Sequence, residues 1–174
     1  AASDVYKRQL PNRVHLSYEA RIALIEGDEH ITSALDKRFQ LEFYRPHIAI
    51  LTNLSWSTET DHATPEAYLS TYQSFSVSIE REGKLIYFGG DDTVSQLAGD
   101  VRSDITAIPF EEHPVVEKDG QTFLHTRYGD YPVRIPNRYF LINLNAARLA
   151  CRQLVVKDAD FYQALSEYSL SLPI

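Results

Sequence analysis

Two short apolar runs stand out in the pattern of hydrophobic and polar positions along the first third of the chain. The run Ile48–Leu51 is entered from Pro46 and left through Thr52. It has the length of a strand buried on both faces, as in parallel sheets covered by helices. A second run, Ile22–Ile25, ends in the acidic sequence Glu26-Gly27-Asp28-Glu29. Because the carboxyl ends of parallel strands line the ligand crevice of open α/β sheets, both strands are predicted to deliver polar residues to it.

The middle of the chain alternates helix and strand signals. Thr64 as N-cap, Pro65 at the first helical position and Glu66 in the first turn predict a helix. A strand, a short helix and a second strand are predicted after it, at residues 85–88, 93–98 and 105–108. This β-α-β order predicts an α/β fold with a mostly parallel open sheet flanked by helices.

The pattern changes beyond Pro109. Residues 115–126 read as a β-hairpin, in which Asp119-Gly120 supplies the positive φ angles of a type I′ turn. Residues 129–135 predict a third antiparallel strand, so a small antiparallel β flap interrupts the sheet. Two helices are predicted to close the chain, at residues 140–154 and 158–168, with Asp158 as N-cap of the second.

Composition narrows the possible classes of protein. At 174 residues and 44% hydrophobic content, the chain fits a single domain with a proper core. A net charge of -7 and a pI near 5.3 argue against a nucleic-acid or anionic-membrane surface, because either needs a basic face. The single cysteine, Cys151, cannot form an internal disulfide and is predicted to be buried, which makes the reducing cytoplasm the default location. No apolar run approaches the ~18 residues of a membrane-spanning helix.

Four stretches stand out by their order along the chain. They are Arg21–Glu29, Asp36–Arg38, Tyr44–Trp56 and Asn143–Ala147. Together with the flap between them they resemble the central domain of Mur ligases, in the branch that adds L-alanine or L-alanyl-γ-D-glutamyl-meso-diaminopimelate to UDP-N-acetylmuramate. The resemblance implies that residues 10–168 form this ATP-binding domain, incomplete at its N-terminus, with residues 169–174 a tail. Residues 1–9 show neither hydrophobic period and are expected to be extraneous or disordered.

The resemblance implies an ATP-dependent, amide-forming ligase of peptidoglycan synthesis or recycling. In that reaction the carboxylate of a UDP-N-acetylmuramate substrate is phosphorylated, and the amino group of an amino acid or peptide then displaces phosphate. ATP and Mg²⁺ are the implied cofactors, because a cation must neutralise charge on the transferring phosphoryl group. The sequence contains no G-x-x-x-x-G-K-[ST] phosphate loop. Since the family's N- and C-terminal domains are also missing, the isolated chain is expected to be inactive.

Two site residues are carried over from the family. Glu26 occupies the position of the metal-binding Glu in the E-x-D-E motif, which makes it the candidate Mg²⁺ ligand; a solvated acidic loop is the other interpretation. Asn143 matches the last Asn of the H-N-x-x-N motif, whose amide can both donate to and accept from an adenine edge. Glu26 and Asn143 are therefore predicted to face one shared hollow.

Two motifs depart from the family pattern. Ser57-Thr58 stands where the family has Asp-His, and the nearby His62 is either a metal ligand or a plain loop histidine. Tyr139-Phe140 replaces the His-Asn of the adenine motif, and Tyr139 either stacks on a base or is a core or rim aromatic. A second hypothesis is therefore a degenerate, non-catalytic relative that binds a nucleotide or a partner protein. A third is that only the fold is shared and the crevice binds another small molecule.

Overall fold

The computed structural model describes residues 18–133 and 137–171, with side chains up to residue 167. Within these ranges the strands are β1 (Ile48–Leu51), β2 (Lys84–Phe88), β3 (Thr106–Phe110), β4 (Val115–Lys118), β5 (Gln121–Thr126) and β6 (Gly129–Pro132). The helices are α1 (Pro65–Ser78), α2 (Asp92–Gly99), α3 (Arg138–Gln153) and α4 (Asp158–Ser171). The extraneous segment predicted at residues 1–9 lies outside the described residues.

The predicted α/β class is confirmed. Strands β1, β2 and β3 form a parallel sheet with β2 in the middle, where Leu85 lies opposite Ala49 on one side and Ala107 on the other. Strands β4, β5 and β6 form the separate antiparallel flap. Its hairpin turns at Asp119 and Gly120, whose φ angles of 51° and 74° are those that a type I′ turn requires.

Successive residues of β2 serve opposite faces of the parallel sheet, because side chains alternate along a strand. Leu85 belongs to the core shared with α1 and α2, whereas Ile86 packs with Ile142 and Leu149 of α3. Both β2 residues are fully buried. The central strand is therefore covered by helices on both faces, as a parallel sheet requires.

A third apolar cluster attaches the flap to the last two helices. Leu124 of β5 is fully buried among Leu141 and Leu144 of α3 and Tyr162 of α4. The predicted N-cap of α4 is off by one residue: the Phe161 N–H donates to the Lys157 carbonyl at 3.0 Å, so Asp158 is already the first helical residue. The remainder of the predicted third flap strand, residues 134–135, lies outside the described residues.

The strand predicted at Ile22–Ile25 is absent. Residues 20–29 have no regular secondary structure, and Leu24 is 94% exposed. An apolar run becomes a buried strand only where neighbouring strands and helices cover it, and the described residues supply no such cover for this segment. The prediction was wrong because the pattern of apolar residues does not show whether other strands and helices will pack against the segment.

Strand β1 exists where predicted, but it is not buried on both faces. Ala49 and Leu51 are buried beneath the α1 and α2 layer, whereas Ile50 on the other face is 38% exposed. Among the described strands β1 is an edge strand, which leaves this face incompletely covered. Cys151 lies in α3 as predicted but is only half-buried. No helix in the described ranges combines the length and apolar character that a membrane span requires.

Candidate functional site

A cavity of about 290 Å³ opens at the carboxyl ends of β1 and β2. Residues after β1, residues after β2 and the first half of α3 line it, among them Thr52, Asn53, Asp91, Arg138, Tyr139 and Asn143. This edge is where open α/β sheets bind their ligands. The cavity therefore lies at the end of β1, where the crevice was predicted, but the residues after Ile25 do not line it.

The start of α3 determines which side chains enter the cavity. Asn137 caps the helix by accepting a hydrogen bond from the Phe140 N–H at 2.8 Å, so helical geometry begins at Arg138. Tyr139 and Asn143 then lie one turn apart on the same face. Both are exposed, and the Asn143 amide makes no hydrogen bond to any residue in the described ranges. Its donor and acceptor are available to a ligand.

The loop that follows β2 lines the cavity with Gly90 and Asp91. One Asp91 carboxylate oxygen accepts the Val94 N–H at 2.9 Å and caps α2, while the other accepts the Leu54 N–H at 3.3 Å. Asp91 therefore ties the two strand ends together. Gly90 lies against the Phe88 ring, where a Cβ would approach the ring carbon Cζ to 2.4 Å, so a larger residue would require this buried ring to move.

Arg138 places a positive charge at the cavity. Its Nε donates to Glu112 Oε1 at 2.8 Å, and this hydrogen bond raises the pKa of Arg138. The guanidinium carbon lies 5.7 Å from the centroid of the Phe88 ring, within cation–π range. Reasoning from the sequence assigned Arg138 no role.

Glu26 is exposed and does not line this cavity. The hollow around Asn143 is therefore not shared with Glu26 within the described residues. The acidic segment instead lies beside the loop that carries Asp61. Asp61 Oδ2 lies 3.2 Å from His30 Nδ1 and accepts the Ile31 N–H at 3.0 Å. The Ile31 hydrogen bond is the main reason that the pKa of Asp61 is lowered.

His62 is 3% exposed and packed as a core residue. Its ring stacks on Phe39 with 3.8 Å between centroids, and its Nε2 lies 3.0 Å from Thr71 Oγ1. Burial lowers the pKa of His62. Its Nδ1 has no hydrogen-bond partner within the described residues.

The candidate metal-binding side chains do not form a complete magnesium site in the part of the chain that the structure describes. No three His, Cys, Asp or Glu side chains in these ranges are grouped so that they could hold a metal ion. Mg²⁺ prefers six oxygen ligands in octahedral geometry and is held in proteins mainly by carboxylates. Metal-binding roles for Glu26 and His62 therefore stay predictions.

A second buried histidine joins the flap to α4, and no sequence motif pointed to it. His113 Nδ1 lies 2.9 Å from the Pro114 carbonyl, an acceptor, so this nitrogen carries the proton. Nε2 then accepts the Tyr162 hydroxyl at 2.5 Å. Burial is the main cause that lowers the pKa of His113.

These two histidines predict acid lability. Because the pKa values of His62 and His113 are lowered in the folded state, the unfolded chain binds more protons once the pH falls below the ordinary value of 6.5. The free energy of unfolding should be nearly constant well above pH 6.5 and fall as the pH drops through 6.5 toward 5. Asp36 and Asp104, with pKa values of about 2, titrate below this window.

Urea titrations at several pH values between 5 and 8 measure this loss. His113→Gln should remove part of the slope, whereas His47→Gln, at an exposed position, should retain all of it. A flat stability profile down to pH 5 in the parent chain would contradict the prediction.

The parallel sheet and its flap form an α/β domain similar to those of Mur ligases, which confirms the predicted resemblance to this family over the part of the chain that is matched. No protein-family model matches the sequence. In sequence, the chain is 26% identical over 135 residues to the UDP-N-acetylmuramoylalanine--D-glutamate ligase of Halalkalibacterium halodurans. That match covers 72% of this chain and 29% of the ligase.

Several solved structures share the fold, among them two Mur ligases. The UDP-N-acetylmuramate:L-alanyl-gamma-D-glutamyl-meso-diaminopimelate ligase from Neisseria meningitides superposes with a TM-score of 0.65 at 21% identity, covering 81% of this chain and 46% of that one. MurF from Acinetobacter baumannii gives a TM-score of 0.54 at 18% identity, covering 72% of this chain and 30% of that one. The chain thus spans less than half the length of each of these three proteins.

Proposed function

We propose that this chain is the central, nucleotide-binding domain of an ATP-dependent ligase of the cytoplasm. The ligase would join an amino acid or peptide to UDP-N-acetylmuramate in peptidoglycan synthesis or recycling. In this proposal the cavity at the carboxyl ends of β1 and β2 receives the nucleotide. Bound ATP would supply the phosphoryl group that activates the substrate carboxylate.

The observation that carries the proposal is the position of Asn143. Its free amide projects into a cavity at the ligand-binding edge of a parallel sheet, one helical turn from the exposed ring of Tyr139. An amide can donate to and accept from a purine edge, and an aromatic ring can stack on its face. Arg138 lines the same cavity, and its Nη groups, which the Glu112 hydrogen bond at Nε does not use, can donate to a ligand.

Removing the Asn143 amide should weaken nucleotide binding without unfolding the chain. We expect Asn143→Ala to raise the Kd for ATP about ten-fold, since one lost hydrogen-bonding group corresponds to roughly 1.4 kcal/mol. Calorimetric titration of the 174-residue chain with ATP measures this change. Gln163→Ala removes an exposed amide from α4, outside the cavity, and serves as the matched control. Equal ATP affinity in the parent and Asn143→Ala chains would contradict the proposed site.

A second experiment addresses turnover and the role of Glu26. Joined to the N- and C-terminal domains of a Mur ligase, the chain should hydrolyse ATP in a manner that depends on Mg²⁺ and UDP-N-acetylmuramate. Glu26→Ala should abolish this activity if Glu26 is a metal ligand, because loss of a carboxylate ligand weakens a hard cation site. Glu59→Ala, at another exposed carboxylate, should leave it intact.

A specific observation also favours a non-catalytic relative as the second candidate. The family's Asp-His is replaced by Ser57-Thr58, and the described residues contain no metal-binding cluster. In this case the joined protein binds the nucleotide but does not turn it over, and Glu26→Ala has no effect. Restoring the pair with Ser57→Asp and Thr58→His should then produce measurable hydrolysis.

A further inference from the structure

A second pocket lies where the flap meets the junction of α3 and α4. It has about the same volume as the first, roughly 290 Å³. Arg127 and Tyr128 from the β5–β6 turn line it on one side, and Arg152, Val155, Val156, Lys157 and Asp158 line it on the other. Arg152 and Arg138 are fourteen residues apart on α3, so the two cavities are separated by about 20 Å along the helix.

The charges around this pocket are not balanced within it. Arg127 and Lys157 form no ion pair with any described carboxylate. Within the described residues, the Arg127 guanidinium lies over the Tyr128 ring and donates to its hydroxyl. The one acidic residue of the lining, Asp158, is already bound by Arg148 at 2.8 Å, and Arg152 lies farther from it at 3.6 Å. On a chain with a net charge of -7, this is a local positive site.

Val155 adds an independent feature at the same pocket. Helix α3 ends with the Val156 N–H donating to the Cys151 carbonyl at 3.0 Å, which places Val155 at the position after the C-cap with a φ of 65°. Glycine is usual there, because a β-branched side chain is strained in the left-handed region. The Val155 side chain is nevertheless 89% exposed, so no packing within the described residues compensates the strain.

We infer that this pocket docks an acidic peptide segment of a partner protein. Carboxylates of the peptide would pair with Arg127, Arg152 and Lys157, and an apolar side chain would cover Val155, Val156 and the ring of Tyr128. An anion without an apolar side chain would pair with the cationic part of the lining and leave the apolar part uncovered. A free phosphate would leave the valines bare, and the competition experiment with an oligothymidylate separates a peptide from nucleic acid. The inference does not depend on whether the domain is catalytic.

Fluorescence anisotropy with a labelled probe peptide, Asp-Glu-Leu-Asp-Phe-Glu-Glu, tests the inference on the whole chain. We expect saturable binding that weakens with added salt, and about ten-fold weaker binding by a variant carrying Arg127→Ala and Lys157→Ala. A variant carrying Lys37→Ala and Arg81→Ala removes the same charge at exposed positions outside the pocket and should bind like the parent.

Val155→Gly separates docking from folding, because its two effects have opposite signs. Relief of the strained φ should raise the urea midpoint, while loss of the apolar contact should weaken peptide binding about three-fold. The inference is overturned if the probe does not bind, or if its Asn and Gln counterpart binds equally well. It is also overturned if inorganic phosphate or an oligothymidylate competes at the peptide's own concentration, or if the variant carrying Arg127→Ala and Lys157→Ala binds like the parent.

Discussion

Replacing Arg148 with alanine should lower the free energy of unfolding by about 3 kcal/mol, because it leaves a buried carboxylate and a buried amide oxygen without their donors. Arg148 donates from Nη1 to Asp158 Oδ2 at 2.8 Å and from Nε and Nη2 to Asn145 Oδ1 at 3.0 and 2.8 Å. The side chains of Arg148 and Asp158 are only 19% and 10% exposed.

The loss of Arg148 would also disturb the hydrogen bond that Asn145 makes to the residue after β3. Asn145 donates its amide to the Glu111 carbonyl at 2.7 Å, and Glu111 follows β3, so one hydrogen-bonded chain links β3, α3 and α4. Arg152, 3.6 Å from Asp158 and half exposed, is too distant to replace Arg148 fully.

Urea denaturation followed by circular dichroism measures this loss of stability. Arg81→Ala removes an exposed arginine and should change the free energy of unfolding by less than about 0.5 kcal/mol. Replacing the pair together, Arg148→Met with Asp158→Leu, should recover much of the loss, because no unpaired charge then stays buried. If Arg148→Ala is as stable as the parent, the buried network does not contribute to stability as described.

Local chemistry made several elements predictable from the sequence. Thr64 caps α1 by accepting the Ala67 N–H at 3.2 Å, as its position before Pro65 indicated. Asp119-Gly120 forms the predicted turn for a similarly local reason, since only a few residue types adopt positive φ readily. Caps and tight turns depend on side chains within a few residues, so a single sequence contains the necessary information.

Burial was less predictable, because it depends on partners that are distant in sequence. Ile22–Ile25 and Ile48–Leu51 look alike as apolar runs, yet the first has no regular structure and the second is a strand. Asp158 shows the same limit. It was predicted as a helix cap from its position, but its carboxylate binds Arg148, ten residues earlier on another helix.

In the candidate site, too, features that depend on local sequence were predictable, whereas features that depend on distant residues were not. Asn143 was predicted by its motif, and the cavity gives its amide free space. The roles of Asp91 and Arg138 depend on tertiary neighbours, namely Leu54 for one and Glu112 for the other, and no spacing in the sequence indicates these pairs. His62 was left open between metal ligand and loop residue, and neither interpretation foresaw its stacking on Phe39.

The contrast between two isoleucines gives the second large prediction. Ile86 in β2 is 0% exposed and packs against α3, whereas Ile50, its partner in the register of the edge strand, is 38% exposed. Ile86→Ala should lower the free energy of unfolding by about 3 kcal/mol, because it removes apolar burial and leaves a cavity that the packed sheet cannot fill.

Ile50→Ala removes the same atoms and should cost about 1 kcal/mol, since part of that surface already contacts water. Urea denaturation of the two variants and the parent measures both values under one condition. Equal losses would mean that β1 is covered in solution as fully as β2. That result would contradict the edge position of β1 in the described sheet.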